Sequence, residues 1–282
     1  MTYTTVITPK QLEPHLGEEN WAIIDSRFDL VQPQWGEKQY LIEHIPGAVY
    51  VHLDHNLSAP KNGTNGRHPL PETEVIAEYF SNLGIDNGTQ AIVYDARGGG
   101  IASRLWWMLK YLGHEAVAVL DGGFPEWKRL GLPVHGIRES RDPSQFKPRL
   151  NPNLKVVADE VLERISEGSS LLIDSRAPER YRGEEEPFDP IAGRIPGAAN
   201  RFWQTNLDAD LRFRDPDILK AEFDSLIGGI APAETIVYCG SGVTGCHNVL
   251  SMAYAGIQGV KLYAGSWSEW SSDPCRPIAT GA

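Results

Sequence analysis

The sequence is poor in cysteine, in basic residues relative to acidic ones, and in long apolar runs. Three cysteines in 282 residues cannot close a fully paired disulfide framework, which points to reduced thiols and a cytoplasmic setting. Lysine and arginine number 26 against 37 aspartates and glutamates, a formal charge of −11. A chain of that sign repels phosphate backbones and anionic headgroups, so neither nucleic acid nor a membrane is expected as a partner. No stretch approaches the ~18 consecutive apolar residues that suggest a transmembrane helix. The opening MTYTTVITPK has neither the basic region nor the apolar core of a signal peptide. The glycines form neither GxGxxG nor a Walker loop, so no nucleotide is expected and no cofactor is implied. What remains is ordinary core material, 41% hydrophobic and 22% charged, the profile of a folded chain rather than a disordered one. At roughly 100–200 residues per domain the length predicts two globular units.

Internal repetition settles the organisation. IIDSR at Ile23–Arg27 returns as LIDSR at Leu172–Arg176, and HIPGA at His44–Ala48 returns as RIPGA at Arg194–Ala198. IVYD at Ile92–Asp95 returns as IVYC at Ile236–Cys239, and LDGGFPEW, ending at Trp127, is answered by YAGSWSEW, ending at Trp270. Four matches in the same order, about 145 residues apart, mark a tandem duplication of a whole domain rather than a solenoid. Between the copies, Gly131–Lys155 carries four prolines and no apolar period, so it reads as a linker. The domains are placed at 1–140 and 154–282, with the linker at 141–153.

Short apolar, β-branched runs (WAIID, QAIVYD, AVAVLD; SLLID, TIVYC, VKLYA) predict buried strands in both halves. Helical patterns at Glu72–Gly84, Ala102–Gly113 and Asp215–Leu226 alternate with them. The expectation is an α/β fold, each half a mainly parallel sheet flanked by helices. Ligands of such sheets gather beyond the carboxyl ends of the strands, which directs attention to the residues after Tyr94 and Tyr238.

After Tyr238 comes Cys239-Gly240-Ser241-Gly242-Val243-Thr244, followed by a helical pattern. Glycines let successive backbone N–H groups curl into an anion nest, and the helix adds its positive end. A thiol placed there is biased toward thiolate, and the same nest suits a persulfide anion or a bound oxyanion. The competing reading is a buried cysteine that merely ends a strand. The counterpart in the first half is Asp95-Ala96-Arg97-Gly98-Gly99-Gly100. A carboxylate cannot carry sulfur and repels an anionic substrate, so one half is chemically live and the other silent.

With these motifs in place, the chain resembles a two-domain rhodanese-type sulfurtransferase over essentially its whole length. The HIPGA and RIPGA motifs, LDGG and YAGSWSEW, and a cysteine loop in the second half alone carry the resemblance. The loop CGSGVT is similar to the 3-mercaptopyruvate branch, because Gly240 and Ser241 stand where the thiosulfate branch usually has basic residues. The resemblance implies a persulfide on Cys239 and transfer of its sulfur to cyanide, a thiol or a thioredoxin-like protein. It also implies a relay of Ser241, His68 and Asp54, which makes chemical sense because removing sulfur from mercaptopyruvate leaves an enolate that must take a proton. Arg182 is matched to an arginine that holds the substrate carboxylate, and Arg194 is a second, poorer match. Ordinary alternatives are a surface histidine for His68, a turn or cap residue for Asp54, and an ion pair with Glu184–Glu186 for Arg182.

Other features carry less. Cys246 reads as a packing residue on the helix after the loop, and Cys275 has no evident partner. His44, His52 and His55 lack a Cys or carboxylate at ligand spacing, so no metal is expected. The Asp25/Arg27 and Asp174/Arg176 pairs occur in both halves and are assigned to the fold. A Cys-x5-Arg phosphatase is excluded, since the sixth residue after Cys239 is Gly245. The remaining alternatives are a thiosulfate-specific enzyme and a non-catalytic persulfide carrier.

Overall fold

The computed structural model of the chain describes residues 2–281. The chain forms two compact units: Met1–Ala59, Pro71–Asn151 and Leu207–Phe213 make unit 1, while Pro60–Leu70, Pro152–Asn206 and Arg214–Ala282 make unit 2. Each half of the sequence therefore lends one short segment to the unit built mainly from the other half.

Unit 1 contains strands β1 (Val6–Ile7), β2 (Trp21–Asp25), β3 (Ala48–Tyr50), β4 (Gln90–Tyr94) and β5 (Val117–Leu120). They pair in parallel in the order β1-β5-β4-β2-β3. Unit 2 contains β6 (Lys155–Val156), β7 (Leu171–Asp174), β8 (Ala199–Asn200), β9 (Thr235–Tyr238) and β10 (Lys261–Tyr263), in the equivalent order β6-β10-β9-β7-β8. These pairings are parallel too.

The central strands β2, β4 and β5 are buried along their whole length. A parallel strand covered on both faces needs a continuous apolar run rather than an alternating one, which is what IIDSR and AIVYD supply. The edge strands are two or three residues long and mostly outside those runs, so periodicity did not reveal them. The helices expected from the sequence form at Thr73–Asn82, Ala102–Tyr111 and Pro216–Ile227. Among the described residues, no helix is long and apolar enough to cross a membrane.

The repeated Asp-x-Arg pair has the structural role expected of it. Arg27 donates to Asp25 at 2.6 Å and to the Glu43 carbonyl at 2.7 Å, and the Tyr94 hydroxyl donates to Asp25 at 2.8 Å. In unit 2, Arg176 donates to Asp174 at 2.6 Å and to the Gly193 carbonyl at 2.7 Å. Both pairs tie the end of a central strand to the residue before the IPG turn. A buried ion pair of this kind holds its place because further hydrogen bonds satisfy both partners.

Candidate active site

Cys239 follows β9 directly and is 1% exposed. Burial by itself pushes the thiol pKa up. The Thr244 hydroxyl and the backbone N–H groups of Ser241, Gly245 and Gly242 outweigh that by donating to the sulfur, and the net direction is down. The helix Gly245–Tyr254 begins immediately behind the loop and presents its positive end. The nest predicted from Gly-x-Gly is thus built from at least three amides and one hydroxyl.

The loop is held from a second side. The Ser268 and Trp267 N–H groups donate to the Gly240 and Cys239 carbonyls at 2.9 and 3.0 Å. Ser266 accepts from the Cys239 N–H at 3.1 Å through its hydroxyl. Ser266 does so at φ +57°, where Gly123 of the first copy also has φ +57°. A serine in the left-handed region is costly, and here it supplies a hydroxyl that glycine lacks.

Unit 1 has the same cradle with a different occupant. The Asp95 carboxylate accepts from the N–H groups of Arg97, Gly99, Ile101 and Ala102 at 2.7–2.9 Å. The first-half nest is filled by its own anion. This gives the silence of that half a structural cause beyond the missing thiol.

Ser241 and His68 come together: the Ser241 hydroxyl lies 2.7 Å from His68 Nδ1, with the two residues 5% and 4% exposed. His68 reaches this position because Pro60–Leu70 belongs to unit 2. The neighbouring Arg67 N–H donates to the Ser268 hydroxyl at 3.0 Å, fixing the segment beside the cysteine loop. Asp54 stands in the short helix Leu53–Asn56 of unit 1, where its N–H donates to His52 Nδ1 at 3.1 Å.

The arginines differ from expectation. Arg182 is bonded to Glu184 at 2.7 and 2.8 Å and lies 3.7 Å from Glu179, the ion pairing weighed as its ordinary alternative. Arg194 donates to the Gly281 and Tyr181 carbonyls and sits over the Tyr181 ring. The guanidiniums that face the cysteine loop belong to Arg67 and Arg180. A Cβ placed on Gly240 would stand 2.8 Å from Arg67 and 3.1 Å from Arg180, so the glycine is what lets both approach. Sequence reasoning missed both residues. RYRG offers Arg180 and Arg182 two positions apart on one helical turn, where they diverge, and only the tertiary structure selects between them.

These cations lie in an alternating chain of charge. Arg176 meets Asp174 and Glu186, Arg180 meets Glu186 at 2.7 Å and Asp189 at 3.7 Å, and Arg67 meets Asp189 at 2.8 Å. Three guanidiniums face three carboxylates. Phe188 lies against both loop-facing guanidiniums, 5.1 and 5.2 Å from its ring centre.

Two duplicated parallel α/β units, one with an amide-cradled thiolate and the other with an aspartate in the same cradle, define a thiolate-dependent group-transfer protein with a single reactive half. A rhodanese-like domain profile matches residues 8–130 and again 157–273. A probable 3-mercaptopyruvate sulfurtransferase of Pseudomonas aeruginosa is 40% identical over 283 residues, covering all of both chains. The thiosulfate sulfurtransferase of Bos taurus is 34% identical over 253 residues, 88% of this chain and 84% of that one. The crystal structure of SseA from Escherichia coli, a 3-mercaptopyruvate sulfotransferase, superposes with a TM-score of 0.79 at 32% identity, covering 95% of this chain and all of that one. The chain belongs to the rhodanese family, as a two-domain sulfurtransferase.

Proposed function

We propose that the protein takes sulfur from 3-mercaptopyruvate onto Cys239 and passes it to a thiophilic acceptor. The observation that carries this reading is the Ser241–His68 hydrogen bond of 2.7 Å beside the cradled thiol. In the proposed step the Cys239 thiolate forms an S–S bond with the donor sulfur, the donor C–S bond breaks, and its electron pair becomes the enolate of pyruvate. Ser241 and His68 take the proton of the donor thiol and return it to the enolate carbon. The products are pyruvate and a persulfide anion on Cys239, which the amides of Ser241, Gly242 and Gly245 and the Thr244 hydroxyl are arranged to hold.

Arg180 and Arg67 are proposed to bind the donor carboxylate, replacing Arg182 and Arg194 in that role. Because the local carboxylates already balance the local guanidiniums, a singly charged carboxylate suits the site better than the doubly charged thiosulfate. Asp54 as the third relay member rests on the family resemblance. The acceptor is proposed to be a small thiol, cyanide or a thioredoxin-like protein.

The test is steady-state kcat/KM with 3-mercaptopyruvate and with thiosulfate as donors. Cys239→Ser abolishes both activities; retained turnover would sink the mechanism. Ser241→Ala, His68→Ala and Asp54→Asn lower kcat/KM for mercaptopyruvate by roughly 10²-fold or more while affecting thiosulfate little; equal losses would remove the relay. Arg180→Ala raises KM for mercaptopyruvate about tenfold or more, and Arg182→Ala leaves it within about twofold. Multiple turnovers separate an enzyme from a stoichiometric carrier, and a preference for thiosulfate would select the other donor.

A further inference from the structure

We propose that unit 1 carries a binding site for a zinc-class divalent transition-metal ion, formed by His44, His135 and Glu139. A donor atom from each of these residues lies within 4.8 Å of the donors of the other two. The sequence grouped His44 with His52 and His55. The fold instead stacks His52 on His55 and makes His52 the cap of a short helix, and it sets His44 against a histidine far along the chain.

The backbone explains the meeting. His44 and His135 form an isolated antiparallel bridge, with N–H to carbonyl distances of 2.8 and 3.1 Å in the two directions. Directly opposed residues of an antiparallel pair project their side chains to the same face, and the two imidazoles lie with ring centres 4.8 Å apart. Four residues on, Glu139 brings a carboxylate oxygen to 3.0 Å from His135 Nε2.

The chemistry at His44 points to a cation. Its ring is stacked on Tyr40, and its Nδ1 lies 2.6 Å from the Tyr40 carbonyl. A carbonyl can only accept, so Nδ1 carries the proton and Nε2 of the neutral ring presents a bare lone pair. His44 is 0% exposed and this nitrogen has no hydrogen-bond partner. A buried acceptor left without a donor is costly. An imidazole whose second nitrogen donates to a backbone carbonyl is also the arrangement that orients a metal-ligating histidine. Two imidazoles and one carboxylate, with room for a water, form the donor set of a tetrahedral zinc-type site rather than of the all-oxygen calcium or magnesium sites. His135 and Glu139 are 27% and 31% exposed, so both can turn inward by the ångström or so that tetrahedral coordination requires.

The duplication supplies an internal contrast. The equivalent bridge in unit 2 pairs Arg194 with Ala279, and neither residue is a metal ligand. The donor set is therefore no requirement of the fold. A bound ion would fasten the segment that leads into the linker onto the HIPGA turn.

The test uses the full chain, stripped with a chelator and then titrated with Zn2+ against a chromophoric competitor. We expect one equivalent bound in the parent and in Cys239→Ser. Binding should weaken by at least about tenfold in both His135→Ala and Glu139→Gln, with sulfurtransferase turnover unchanged in each. Cobalt substitution should give visible ligand-field bands without thiolate-to-metal charge transfer. No bound equivalent in the parent, undiminished binding in both variants, or loss of binding in Cys239→Ser would each overturn the site.

Discussion

At the scale of single residues, the reactivity of Cys239 is a competition between burial and hydrogen bonding. Burial favours the neutral thiol, while the Thr244 hydroxyl and three amides favour the thiolate and prevail. Thr244 is the one member of that set whose contribution a side-chain substitution can remove. Thr244→Val should therefore shift the pH profile of Cys239 alkylation by iodoacetamide upward and slow the reaction at neutral pH several-fold. An unchanged profile would show that the amides alone hold the charge. The same scale explains why Arg180 was not legible: the sequence shows two arginines on one turn, and which of them turns toward Gly240 depends on Glu184 and Glu186, each of which captures a different one.

At the scale of elements, the cysteine loop is shaped by what packs against it. Gly242 has φ +74°, and a Cβ there would stand 2.0 Å from the Ala264 carbonyl oxygen. Backbone cannot yield as a side-chain tip can. Gly242→Ala should cost roughly 2–4 kcal/mol, from the left-handed conformation and the clash together, and should be visible as a lower urea midpoint. Gly240→Ala meets only flexible guanidinium ends and should leave that midpoint nearly unchanged. A Gly242→Ala midpoint equal to that of Gly240→Ala would refute this account of the loop. The glycines themselves were legible as a nest in the sequence. Ser266, which holds the Cys239 N–H from a strained backbone position, was not, because its role depends on a contact between loops 27 residues apart.

At the scale of the whole molecule, the units are not simple halves of the chain. Leu207–Phe213 belongs to unit 1, where the Phe213 N–H donates to Asp121 at 2.8 Å. Burial, with Asp208 and Glu126 adding repulsion, pushes the Asp121 carboxyl up to about 6 against the pull of the Phe213 N–H and Arg212. Its pKa in the unfolded chain is about 3.9. The folded state thus binds this proton more tightly, so the stabilisation is full below about pH 4 and is lost as pH rises through about 6. Asp121→Asn should raise stability at neutral pH by roughly 1–2 kcal/mol, since solvent screens the partly exposed group. It should also flatten the stability profile between about pH 4 and 6. A variant whose profile parallels that of the parent would show that Asp121 titrates normally.

Much of this protein follows from the sequence by itself: the duplication, the parallel α/β class, the single reactive cysteine, and the partnership of Ser241 with His68. These are legible because repeated motifs, buried apolar runs and strand-to-helix glycine loops are local patterns that impose local geometry. The tertiary structure alone decided which arginines face the loop, that Asp95 fills the first nest with its own carboxylate, and that His44 meets His135. Each of those depends on where a side chain points once distant segments have packed, and no spacing along the chain encodes that direction.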